Sequence, residues 1–217
     1  MQISNFRRAL RAFTLPLALA LTACSTADDP YSKIEDGPLI SATLHTVTLV
    51  SDGPALLEQA QKAGYTPVAL APNYQAAIHV QSIQWNVPED AAGKVTILDA
   101  PGAGPNLRVI VTAPPPAAAA PAAPVDPVAT RAFYRNVLGA DVPEWPANVT
   151  PTPNARVQVW TFLIADVIEA RKKLRAHFIP LLTEPVHITT TYLGDEKSLT
   201  LRAPDGTIVE LVQTVAQ

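Results

Sequence analysis

The side chains able to do chemistry in this sequence are few. One thiol, Cys24, and four imidazoles, His45, His79, His177 and His187, are its soft or borderline metal donors across 217 residues. Among the carboxylates, Glu210 stands out because it interrupts the apolar run Ile208-Val-Glu-Leu-Val212. In an extended strand Glu210 points away from the side taken by Val209 and Leu211. On a solvated face it is an ordinary carboxylate; inside a cavity it needs a metal, an arginine or a proton. His45, opening a β-rich run, is either a hydrogen-bonded histidine or a ligand, and His177 and His187 read as surface residues. No GxSxG, HExxH, P-loop or CxxC pattern occurs, and Gly102-Ala-Gly104 is a turn with no helix behind it.

What precedes Cys24 gives the thiol its reading. Arg7, Arg8 and Arg11 form a positive segment with no acid before Cys24, and an apolar run follows from Phe13 to Leu21. At about nine residues, where a spanning helix needs roughly 20, the run reads as the core of an export signal. Leu21-Thr22-Ala23-Cys24 resembles the lipobox of bacterial lipoproteins, which is cut before its cysteine. The resemblance implies a signal peptide over residues 1–23, a diacylglyceryl group on Cys24 and anchoring by buried methylenes. Ser25 at the next position favours the outer membrane, with the domain facing the periplasm. The alternative is a secreted protein with a stray thiol. A lone cysteine excludes an intramolecular disulfide. Without residues 1–23 the chain keeps 13 Lys+Arg against 19 Asp+Glu, a formal charge of −6. With no basic run left, nucleic acid is excluded as an expected partner. Residues 24–40 are expected to be a flexible tether, polar and poor in large apolar side chains.

The remainder repeats itself. His45-Thr-Val-Thr-Leu-Val-Ser-Asp52 aligns with Val159-Trp-Thr-Phe-Leu-Ile-Ala-Asp166, each ending in an aspartate able to cap a helix. Helices are predicted from Pro54 to Ala63 and from Val167 to about Ala176. Their exits, Ala63-Gly-Tyr-Thr-Pro-Val68 and Ala176-His-Phe-Ile-Pro-Leu181, match if the register slips by one residue. Lys94-Val-Thr-Ile-Leu-Asp-Ala-Pro101 then matches Lys197-Ser-Leu-Thr-Leu-Arg-Ala-Pro204, and second apolar strands follow at Leu107–Thr112 and Ile208–Val212. Ala77–Trp85 and His187–Tyr192 supply one more extended stretch each. Both copies therefore read β-α-β-β-β.

A βαβββ unit used twice resembles the vicinal oxygen chelate superfamily, the glyoxalase/bleomycin-resistance/dioxygenase group. Phe162-Leu-Ile-Ala-Asp166 looks like its second-module opening, and Ala203-Pro-Asp-Gly-Thr-Ile-Val-Glu-Leu-Val-Gln213 resembles its closing hairpin. Ala132-Phe-Tyr-Arg-Asn-Val-Leu-Gly139 looks like the group's first helix but follows a Pro/Ala tract, 113–124. The expected fold is α+β: paired βαβββ modules over 41–113 and 157–217, with a Pro/Ala-rich insertion over 114–156. The other arrangement makes residues 107–142 a degraded first module. Arg131 and Arg135 share one face of the inserted helix, where a solvated face or an acidic partner would explain them. Of the tryptophans, Trp160 reads as core, Trp145 as packing the insertion down, and Trp85 as able to line a pocket.

The resemblance implies one metal ligand on the first and last strand of each module, facing a shared cavity. His45 and Glu210 match those positions. Val159, and Leu107 or Arg108, stand at the other two and cannot bind a cation. His79, Gln81, His187 or Gln158 could substitute, though no spacing demands it. The expected function is thus a membrane-anchored, metal-free, degenerate member that binds a small molecule or partner, with no cofactor. One alternative is a divalent-metal enzyme of glyoxalase, dioxygenase or resistance type using His45 and Glu210. The other is an envelope scaffold docking a protein through residues 114–138. A homodimer is open, because members of the group pair modules between chains.

Overall fold

The computed structural model describes residues 31, 39–50, 53–69, 74–101, 108–112, 126–144, 148–150, 155–190 and 194–215. The expected signal segment, Cys24, Trp145 and the Pro/Ala tract lie outside the described residues. So do the side chains of residues 41–50 and 108–112, whose backbones form strands.

The first half runs β1 (Ile40–Val50), α1 (Gly53–Lys62), β2 (Thr66–Pro67), α2 (Tyr74–Trp85), α3 (Glu89–Ala92), β3 (Thr96–Asp99) and β4 (Arg108–Thr112). A connecting helix α4 (Pro127–Ala132) continues as a π-helical turn, Phe133–Leu138. The second half runs β5 (Ala155–Ile164), α5 (Val167–Ala176), β6 (Val186–Thr190), β7 (Gly194–Arg202) and β8 (Ile208–Thr214). All eight strands join one sheet in the order β2-β3-β4-β1-β5-β8-β7-β6. Within each half the first and last strands pair in parallel, β1 with β4 and β5 with β8, and the halves meet at the antiparallel β1–β5 seam. Residues 40–112 supply the strands on one side of the β1–β5 seam, and the 127–138 helix comes between the two halves in the chain.

Strand alternation gives the sheet two faces. On one, α1 buries Leu56 and Ala60 against Leu98 and Tyr65. Beside it α5 buries Val167, Ala170 and Leu174, spaced three and four apart on one helical stripe, against Leu199, Leu201, Val209 and Leu211. Phe133, Tyr134, Val137 and Leu138 join that core, so the inserted helix is part of it rather than a free docking element. Tyr31 also docks there, its ring edge-on to Phe133 at 5.4 Å and its carbonyl accepting from Asn136 Nδ2 at 3.1 Å. The expected tether is therefore pinned partway along its length.

Asp166 caps α5 through Oδ1, which accepts from Ile168 N at 2.8 Å and Glu169 N at 3.0 Å. These bonds hold its carboxyl below the usual range. Asp166→Ala should cost about 1 kcal/mol, read as a lower urea midpoint at unchanged slope.

Two expectations are corrected. Ala77–Trp85 is helix, not strand: its buried positions Ala77, Gln81, Ser82, Gln84 and Trp85 follow a helical period, and three of the five are polar. It lies on the sheet face opposite α5, where Trp85, Ala91, Ala92 and Val95 pack on Ile97, Val159 and Ile208. Helices therefore occupy both faces of the sheet. The one-residue slip between helix exits is also absent. Gly64 N and Tyr65 N donate to Gln61 O and Ala60 O, and Phe178 N and Ile179 N donate to Arg175 O and Leu174 O. These paired bonds close both helices in the same way and set Gly64 opposite Phe178. Downstream, Pro67 faces Leu98 as Leu181 faces Leu201.

Candidate functional site

The α2 face of the sheet carries a polar row. Residue 45 pairs with Thr161, Thr161 with Glu210, and Glu210 with Thr200, so one register line crosses β1, β5, β8 and β7. The sequence-predicted positions 45 and 210 thus stand on one row with a single strand between them, roughly 10 Å apart at the backbone. The His45 side chain lies outside the described residues.

Glu210 is 1% exposed. Thr161 Oγ1 donates to its Oε2 at 2.8 Å. Burial pushes its carboxyl up to about 7, with Thr161 and the Trp85 indole pulling the other way. The Trp85 Nε1 does not complete a hydrogen bond by geometry, so its influence is that of a nearby dipole, weaker than the Thr161 bond. Glu210 is therefore divided between a neutral acid and a carboxylate near pH 7, able to donate or accept a hydrogen bond.

Helix α2 covers this row. Its Gln84 Nε2 donates to Ser198 Oγ on β7. Gln81, one turn before Trp85, is buried with neither amide atom hydrogen-bonded, and Gln84 Oε1 and Trp85 Nε1 are likewise unpartnered. Residues 81, 84 and 85 share one side of the helix, so several unsatisfied polar atoms lie in the layer over the sheet. Buried polar atoms of this kind call for a ligand or water.

The other candidates are not brought here. His79 is exposed, its Nδ1 2.5 Å from Glu89 Oε1. His187 is exposed and pairs with Lys197, which alternates away from the Glu196 and Ser198 side. His177 ends α5 on the opposite face. Gln158 Nε2 reaches the Trp85 carbonyl at 3.4 Å. Arg135 pairs with Asp141 on the surface, and Trp160 is core.

Sequence reasoning missed Thr161, Ser198, Thr200 and Gln84. The first three could have been found by counting in twos from Val159 and along β7; Gln84 carried no such signal, because its segment was read as a strand.

The strand order and parallel pairings define the fold class: α+β, two four-stranded halves joined in one sheet, each with a helix after its first strand, consistent with a glyoxalase-like fold. No family model matches the sequence, and no curated protein matches it. Solved structures do resemble it. Methylmalonyl-CoA epimerase from Mycobacterium tuberculosis is 15% identical, over 82% of this chain and 91% of that one, with a TM-score of 0.46. The Mn(II)-bound glyoxalase from Novosphingobium aromaticivorans is 14% identical, over 82% of this chain and 40% of that one, with a TM-score of 0.46. A glyoxalase/bleomycin resistance protein/dioxygenase superfamily member from Vibrio splendidus is 10% identical, over 80% and 100%, with a TM-score of 0.36.

Among the described residues no group of three or more His, Cys, Asp or Glu could hold a metal ion. Val159, the position equivalent to His45, is fully buried in the apolar cluster under Trp85, and Arg108 stands opposite Asp99 on the first half's last strand. Residues 45 and 210 alone fall short of the three protein ligands that a catalytic metal keeps.

Proposed function

We propose that this chain is a membrane-anchored bacterial lipoprotein whose glyoxalase-like domain binds a small polar molecule between α2 and the sheet, without a metal. The observation that carries the reading is the layer of buried, unpartnered polar atoms on Gln81, Gln84 and Trp85 over Glu210. An acid that is half protonated near neutrality can donate to a ligand carbonyl or accept from a ligand hydroxyl or amine. Glutamine amides and an indole N–H add orientation in an apolar setting, the usual composition of a small-molecule site. The apolar contact of Val159 with Trp85 favours binding over metal catalysis.

Cys24, reached by the export signal over residues 1–23, supplies the anchor in this reading, with the domain facing the periplasm, on the outer membrane by virtue of Ser25. The docking alternative loses support where Phe133, Tyr134, Val137 and Leu138 are committed to the core.

Elemental analysis of untagged protein is expected to find no stoichiometric transition metal, and chelator treatment to leave Tm unchanged. A full equivalent of metal, with Tm falling on chelation, would sink the metal-free reading. Binding is tested by thermal shift against a panel of small carbonyl and hydroxy compounds. Hits should lose their shift in Gln81→Leu; a shift that survives that change places the ligand elsewhere.

A further inference from the structure

Phe178 breaks two local rules at once. It is 93% exposed, the most exposed large hydrophobic residue among those described. Its φ is +58°, in the left-handed region that aromatic residues avoid. The same turn closes α1, with the same two hydrogen bonds, and there the position is Gly64 at φ +88°. Glycine is what this backbone asks for. The second half thus carries a strained, solvent-facing phenylalanine where the first half shows that folding needs none. Local rules broken without a folding gain point to function.

The surroundings also differ between the halves. Helix α1 ends with one basic residue, Lys62. Helix α5 carries Arg171, Lys172, Lys173 and Arg175 in the turns leading to Phe178, with Glu169 and Glu184 paired among them, in a chain of net charge −3. Leu182, four residues beyond Phe178, is 46% exposed. An apolar tip behind a locally cationic helix is the composition that suits an anionic lipid surface.

The tether points the same way. Tyr31 packs on the same core cluster as Leu174 and Ile179, the residues flanking this turn. From Cys24 to Tyr31 the chain can span no more than roughly 25 Å. A domain held that closely leaves its α5 layer within reach of the bilayer.

We propose that the turn after α5, with Phe178 at its tip and the exposed Leu182 four residues further along the chain, inserts into the surface of the anionic phospholipid membrane to which the chain is tethered. The inference rests on the anchoring of Cys24 proposed above for bringing the domain to the membrane.

The test uses the full chain, purified from a bacterial membrane and reconstituted into phosphatidylcholine vesicles with and without phosphatidylglycerol, the acyl chains brominated. Intact mass reports separately whether Cys24 carries diacylglyceryl, so failure of the anchor reading is seen on its own. In Phe178→Trp, the emission added above that of the native tryptophans should be blue-shifted and mostly quenched when phosphatidylglycerol is present. Added emission that stays water-like and unquenched overturns the proposal, whatever the state of Cys24. Equal quenching in phosphatidylcholine alone overturns its anionic part. Phe178→Gly supplies the second readout: Tm should rise by about 2–4 °C as the strained position is relieved. A fall in Tm would give Phe178 a folding role and overturn the inference as well.

Discussion

Trp85→Ala should be the most damaging single substitution in the domain, lowering unfolding free energy by about 3–5 kcal/mol. The side chain is fully buried in a cluster with Ala91 and Ala92 of α3, Val87 and Val95 of the connections flanking it, and Ile97, Val159 and Ile208 from the sheet. Few other apolar groups hold α2 down, since its other buried side chains over this stretch are the small Ala77 and the polar Gln81, Ser82 and Gln84. Removing the indole leaves a cavity that a row of alanines and β-branched residues cannot fill, because none of them can extend into it. The loss should be local in its consequences. Hydrogen exchange of residues 77–85 should approach the unprotected rate, while amides of α5 and β7 keep their protection. Uniform loss of protection would instead mean that both faces of the sheet unfold as one unit.

The second large effect is a dependence on pH that belongs to Glu210. In the unfolded chain its carboxyl releases its proton near 4.5, and in the folded domain only at about 7. Between those values the folded state holds the extra proton, so raising the pH favours unfolding. The stabilising contribution is complete below about pH 4.5, declines through the interval and is gone above about pH 7. The full swing is on the order of 3 kcal/mol. Glu210→Gln keeps an oxygen that can accept from Thr161 Oγ1 but cannot ionise. It should match wild type in acid and exceed it by up to that amount at pH 8, measured by urea unfolding at stepped pH. Identical pH profiles for the two proteins would show that Glu210 ionises normally in the fold.

Both effects arise from elements that differ greatly in how openly the sequence announced them. Strand β8 was legible because Ile208, Glu210 and Val212 alternate with Val209 and Leu211, and because a turn residue pair, Asp205-Gly206, precedes it. Helix α5 was legible from Asp166 at its start and the stripe Val167, Ala170, Leu174. Helix α2 was not. Its buried side holds Gln81 and Gln84, so no apolar stripe marked it, and Ile78, Val80 and Ile83 imitated a strand. The glutamines are tolerated there because they sit over the polar row of β7 and β8, a circumstance invisible until the sheet is assembled.

The turn after α5 makes the same point from the other side. Two prolines, Pro67 and Pro180, drew the repeat out of register when read as letters. The hydrogen bonds that close the helices restore it, because their spacing is set by backbone geometry rather than by side-chain identity. Only then does Phe178 fall opposite Gly64.

The sequence by itself determined the α+β class, the strand-helix opening of each half and strand β8 with its turn, since period, caps and turns are local properties carried by neighbours along the chain. Tertiary structure alone decided that Val159 lies under an indole, that Thr161 and Thr200 flank Glu210, and that burial holds its proton to about pH 7. Those are properties of contacts between residues far apart in the chain, and desolvation has no meaning until a second surface closes over the first.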